Sequence, residues 1–138
     1  MLHAQLETDA ASSSAELDFL WVELTNRCNL QCVHCYSDSG PHTGAWDRLD
    51  RSKYEDAILE ARALGSRRVQ FIGGEPTLNP DLPHLIALAA ERGFTFIEVF
   101  SNLTRLSDDL LDCFRAYGVH VATSVYASES ATHDTITT

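Results

Sequence analysis

Three of the chain's four cysteines, Cys28, Cys32 and Cys35, stand within the eight residues CNLQCVHC, separated by three and then two positions. Thiols gathered this tightly have three uses. At i, i+4 and i+7 they form one stripe of an amphipathic helix and could pack as small apolar groups. With His34 or His42 they could complete a tetrahedral Cys3His zinc site. As thiolates they could hold three irons of an iron-sulfur cubane and leave the fourth iron an open position, where reactivity would lie. The polar residues between them, Asn29, Gln31 and His34, and the Ser, Asp and Gly-containing loop at 37–40 argue against the buried helix. Cys113, beside Leu110, Leu111 and Phe114 in a helical pattern, reads as a packed thiol and not as a further ligand.

A second group with chemical potential is Gly73-Gly74-Glu75-Pro76 in FIGGEPTL, directly after an apolar run. Two glycines let backbone approach a ligand closely, and a carboxylate beside them can accept hydrogen bonds from an ammonium group. Ser101 and Asn102 in SNLT, and Ser124 in SVY, follow two further apolar runs in the same way. Turn capping is the ordinary use of such residues.

The elements that must position these groups follow from periodicity. FLWVELT predicts a first strand over about 19–25, and the cysteine loop follows it at once. LDRSKYEDAILEARALG predicts a helix, with Ser52 and Glu55 in capping-box register and Gly65 as its stop. RRVQFI, FTFIEVF and VHVATSVY predict three more strands. PDLPHLIALAAERG and SDDLLDCFRAYG predict the helices between them, the latter with Ser107 as N-cap and Gly118 beyond its end. The tail ASESATHDTITT shows no clear period. Strict alternation of strand and helix calls for a parallel sheet, so the expected class is α/β, a (βα)n partial TIM barrel truncated after about four strands and three helices. Glu23, Gln70, Glu98 and His120, with Ser124, put a polar residue on one alternating face of each strand. They are either scattered solvated groups or the wall of a lumen that holds a polar ligand.

Composition narrows the function. The 138 residues suffice for one modest domain, with residues 1–17 expected as a mobile acidic and Ser/Ala-rich leader and 18–138 as the folded part. A formal charge of −10, with no basic cluster among aromatics, opposes a nucleic-acid partner. The N-terminus has no secretion pattern and no apolar run reaches spanning length, so no membrane role and a cytoplasmic location are expected. Clustered cysteines in such a chain favour metal or redox chemistry over disulfides.

Cys28-x-x-x-Cys32-x-x-Cys35 after a first strand resembles the signature of the radical S-adenosylmethionine (radical SAM) enzymes, and GGEP one βα unit later resembles that family's GGE motif. The resemblance implies that Cys28, Cys32 and Cys35 ligate a [4Fe-4S] cluster whose remaining iron is chelated by S-adenosylmethionine. It implies that Gly73, Gly74 and Glu75 hold the methionine amino group. His34, where the family usually has an aromatic residue, would lie near the adenine. Ser101, Asn102 and Ser124 would contact the ribose or the methionine carboxylate. An external electron donor of flavodoxin or ferredoxin type would then drive cleavage of S-adenosylmethionine to a 5′-deoxyadenosyl radical, which abstracts hydrogen from a substrate.

Family domains resemble partial barrels with more βα units than the four strands read here. The chain is therefore expected to be an N-terminal portion that turns over substrate poorly by itself. TNRCNLQCVHCY with GGEPTL looks most like the branch of peptide-modifying (SPASM-type) maturases, which implies a peptide substrate. The competing reading is a non-catalytic Cys3His zinc-binding or scaffold module.

Overall fold

Every second residue of the predicted strands is large and apolar, and a sheet built from them must cover that face. A computed structural model describes residues 16–42 and 49–138. Most of the expected leader therefore lies outside the described residues. Leu17 within it donates its N–H to the Leu64 carbonyl at 3.0 Å.

The strands are β1 (Phe19–Glu23), β2 (Arg68–Ile72), β3 (Phe96–Phe100) and β4 (His120–Ala122), all parallel and in the order β1-β2-β3-β4. The helices are α1 (Arg51–Ala63), α2 (Leu82–Glu91), α3 (Asp108–Tyr117) and α4 (Ser130–Ile136), with a single 3-10 turn at Pro76–Leu78. Because each strand is added beside the last in sequence order, right-handed crossovers place α1, α2 and α3 on one face. Val22, Leu24, Val69, Phe71, Ile97 and Val99 from that face bury against Tyr54 and Ile58 of α1, Leu82, Leu85 and Ile86 of α2, and Leu110 and Phe114 of α3. The expected partial barrel is what forms: an open parallel sheet with helices outside.

Three local expectations are corrected. The first helix starts one residue after Asp50, so Ser52 lies inside α1 and no capping box forms. Glu55 instead meets Arg51 at 3.2 Å and His84 at 2.7 Å. The third strand starts at Phe96, not Phe94, because Phe94 closes α2. Its N–H donates to the Ala89 carbonyl while Gly93, at φ +85°, donates to that of Ala90, the Schellman pattern that caps free helix carbonyls. The fourth strand is only three residues long, since β3 ends at Phe100 and leaves the backbone after Ala122 no ladder to join. The aperiodic tail nevertheless contains α4. Its seven residues include no buried one, so no apolar stripe announced it. It is fixed from outside: Val33 N–H donates to the Ile136 carbonyl at 3.0 Å, and Thr138 Oγ1 to the Gln31 carbonyl at 3.3 Å.

Opposite the helices, Glu23, Gln70, Glu98 and His120 share one face, but they are partnered and not scattered. Gln70 Nε2 donates to Glu98 Oε1, Tyr36 donates its hydroxyl to Glu23 at 3.2 Å, and His120 stacks on Phe96 with centroids 4.7 Å apart. At the strand starts the Arg68 guanidinium lies over both Phe19 and Phe96, at 5.2 and 5.4 Å, and lines up with Asp18 at 3.4 Å. Among the described residues no helix is long and apolar enough to cross a membrane.

Candidate active site

The C-terminal strand ends gather the residues whose types first suggested chemistry, as parallel α/β sheets do with their ligands. A cavity of about 900 Å³ opens there. Cys28, Cys32 and Cys35 line it together with Gly73, Gly74, Ser101, Asn102, Ser124 and His34. Glu75 is absent from the lining and is 1% exposed.

The cysteine segment is a loop of turns and not a helix, which removes the packed-stripe reading. Short local bonds shape it. Cys35 N–H donates to the Cys32 carbonyl at 3.1 Å, Leu30 N–H to Cys28 Sγ at 3.4 Å, and Arg27 pairs with Gly40 in an isolated parallel bridge. All four cysteines are free thiols, each half-buried. Burial pushes the Cys32 thiol above its ordinary value, and the neighbouring Cys28 and Cys35 charges raise it further. Burial also pushes Cys35 up, but the Ser37 hydroxyl and the backbone N–H groups of Ser39, Ser37 and Asp38 outweigh it, so that thiol is lowered. Thiols that feel one another's charge favour deprotonation together only when a cation joins them.

Among the described residues no three His, Cys, Asp or Glu side chains converge on one ion, which is what a mononuclear zinc site requires. His42 borders a separate recess of about 220 Å³ beside Cys32 and Cys35. His34 turns its ring onto Tyr126 at 4.4 Å, which stacks with His133 at 5.8 Å. Three thiols on the rim of one cavity supply the number of protein ligands that a cluster with an open fourth iron requires. Cys113 is remote from them on α3, its Sγ 4.0 Å from the Pro83 carbonyl.

The two glycines make their close approach to the chain's own backbone. A Cβ on Gly73 would stand 2.5 Å from the Thr25 carbonyl oxygen, and one on Gly74 2.3 Å from that of Arg27. Gly74 N–H donates to Thr25 O at 2.7 Å and Glu75 N–H to Arg27 O at 2.8 Å. The turn after β2 thus clamps the start of the cysteine loop while its other side faces the cavity. Glu75 points inward: its Oε1 accepts from Ser101 Oγ at 2.8 Å and from Thr77 Oγ1 at 2.7 Å, and its Oε2 from Asn102 N–H at 2.8 Å.

Sequence reasoning did not find the cavity residues Trp21, Tyr36, Thr104, Tyr126, His133, Asp134, Thr137 and Thr138. A strand-face parity argument could have found Trp21, which aligns with Gln70. Those on α4 carried no signal in the chain.

A parallel (βα)n sheet with a three-thiol loop after its first strand and a glycine turn after its second defines an open partial α/β barrel. The model of the radical SAM superfamily matches residues 22–137, and the chain belongs to that superfamily. It is 32% identical over 96 residues to Fe-coproporphyrin III synthase of Methanosarcina barkeri, covering 70% of this chain and 24% of that protein. It is 34% identical over 101 residues to GTP 3′,8-cyclase of Chlorobaculum tepidum, covering 70% and 30%. The fold is similar to that of Streptococcus suis SuiB bound to S-adenosylmethionine, with a TM-score of 0.72 at 20% identity over 90% of this chain and 28% of that one. It is similar too to anSMEcpe with bound AdoMet, with a TM-score of 0.70 at 17% identity, covering 88% of this chain and 35% of that one. The chain spans less than a third of the length of the curated relatives it matches.

Proposed function

We propose that Cys28, Cys32 and Cys35 hold a [4Fe-4S] cluster and that the cavity beside them takes S-adenosylmethionine. The observation that carries this reading is that all three thiols line the same cavity as the Gly73-Gly74 turn and the ends of β3 and β4. Bound there, cluster and S-adenosylmethionine together would supply reductive cleavage to a 5′-deoxyadenosyl radical that abstracts hydrogen from a substrate. The protein's part is to bind, orient and exclude water. Gly73 and Gly74 offer backbone to the methionine end. His34, Tyr126 and His133 supply a wall of rings on which a flat base can lie. Ser124 offers a hydroxyl for the ribose or carboxylate.

The free thiols support a cytoplasmic setting. A flavodoxin- or ferredoxin-type protein would deliver the electron, reaching the cysteine loop where Val33 and Tyr36 are exposed. The wording of the cysteine and GGEPTL segments supports a peptide substrate. Similarity to a GTP 3′,8-cyclase supports a small molecule as the second reading.

Anaerobic reconstitution with iron and sulfide tests the assignment. The expected product is brown and, once reduced, gives a paramagnetic signal that S-adenosylmethionine alters. Cys32→Ala should abolish the cluster, whereas Cys113→Ala should retain it. Stoichiometric zinc that resists replacement, with no signal change on adding S-adenosylmethionine, would instead establish the non-catalytic binding module.

A further inference from the structure

The Asn102 amide is fully engaged inside the protein. Its Nδ2 donates to Asn29 Oδ1 at 3.0 Å and reaches Cys28 Sγ at 3.8 Å. Its Oδ1 accepts from Thr104 N–H at 3.0 Å and Thr104 Oγ1 at 2.7 Å. A primary amide has two N–H donors and two carbonyl lone pairs, so this arrangement leaves no capacity for a ligand. Both donors point to the cysteine loop, and both acceptors hold the turn after β3.

What holds Asn102 is a buried carboxylate. Its backbone N–H donates to Glu75 Oε2 at 2.8 Å, and the preceding Ser101 donates Oγ to Glu75 Oε1 while accepting from Leu103 N–H at 3.0 Å. Glu75 and Ser101 are 1% and 2% exposed. Removing a donor from so buried a carboxylate leaves charge uncompensated, so the contact is costly to break. Meanwhile Glu75 N–H bonds Arg27 O, next to Cys28. One residue therefore fixes both the base of the cysteine loop and the amide that touches its first thiol.

We infer that Asn102 is a positioning residue for Cys28, anchored by Glu75, and that its N–H···S contact raises the reduction potential of a cluster bound through that thiolate. A hydrogen bond to a ligand sulfur draws off negative charge and so favours the more negative, reduced form. The inference rests on the ligand assignment proposed above. It gives Asn102 and Glu75 a different task from direct contact with S-adenosylmethionine.

The test is a paramagnetic-resonance-monitored redox titration of the reconstituted protein without S-adenosylmethionine. Asn102→Ala should shift the midpoint to lower potential than the parent. Asn102→Asp, close in shape but with a charge in place of the donor, should shift it further, which also covers the case in which the alanine variant fails to fold. Cys113→Ala should leave the midpoint unchanged. Unaltered midpoints in both Asn102 variants, with weakened S-adenosylmethionine binding, would overturn the inference and return Asn102 to the cofactor. A parent that forms no cluster would instead overturn the ligand assignment itself, and this inference with it.

Discussion

At the scale of single residues, the site depends on two glycines that carry no chemistry. Gly74 has the backbone of Arg27 where a Cβ would go, at 2.3 Å from its oxygen and 2.7 Å from its carbonyl carbon. Neither atom is the end of a flexible side chain that could swing aside. Gly74→Ala must therefore push the cysteine loop away from β2, and overpacking of this kind costs about 1–3 kcal/mol. Denaturant melts of the cofactor-free protein should show a lower midpoint. Reconstituted iron should fall in parallel, because the displaced segment carries Cys28. An alanine variant with parental stability and iron content would show that the clamp is dispensable. The motif is legible in the sequence as glycine-glycine-acid, but the partner that requires the glycines lies nearly fifty positions earlier, and no local pattern names it.

At the scale of elements, the helices test how far capping rules carry. Ser107 caps α3: its side chain accepts from Leu110 N–H at 3.2 Å, Asp108 and Asp109 occupy the first turn, and Gly118 closes the end at φ +61°. All of that was legible, because capping is local. Ser52 carried a similar pattern but is the second residue of α1, past the N-cap position, which Asp50 holds without a side-chain cap hydrogen bond. Ser107→Ala should thus cost about 1 kcal/mol. Ser52→Ala should leave stability unchanged or raise it by a few tenths, since alanine is the better helix former. Thermal or chemical melts of the two variants side by side decide it, and equal losses would contradict the helix start at Arg51. The short helix α4 shows the opposite limit. Its position comes from hydrogen bonds to Gln31 and Val33, about a hundred residues away, and its own seven residues hold no stripe to read.

At the scale of the whole molecule, charge and burial set the response to pH. The chain carries a formal charge of −10, and each further ionisation adds to its self-repulsion. Burial raises the Cys113 thiol above its ordinary 9.0, so the folded state holds that proton more tightly than the unfolded one. Its contribution to stability is therefore complete below pH 9.0 and is lost as pH rises through the folded value. Although the Tyr36 ring is exposed, partial desolvation of its hydroxyl where it meets Glu23, together with that charge, raises Tyr36 above its ordinary 10.0 in the same sense. Cys35, which is lowered, acts in the opposite sense. The cofactor-free protein should lose thermal stability as pH climbs beyond 9.0, and Cys113→Ala should flatten that decline while leaving the cysteine loop intact. Parallel slopes for parent and variant would show that the α3 thiol is not linked to folding.

The sequence by itself determined the alternation of strand and helix, the side of each strand that seeks a core, the helix stops, and the three-and-two spacing of Cys28, Cys32 and Cys35. These are properties of neighbours along the chain, where a period of 2 or 3.6 or a turn residue has a direct physical meaning. Only the tertiary structure decided that Gly73 and Gly74 press on the cysteine loop, that Glu75 faces Ser101 and Asn102 and not the cavity, and that α4 completes the cavity wall. Those contacts join residues from 26 to 107 positions apart. They exist because parallel strands added in order bring every strand end, and every loop that follows one, to the same side of the sheet.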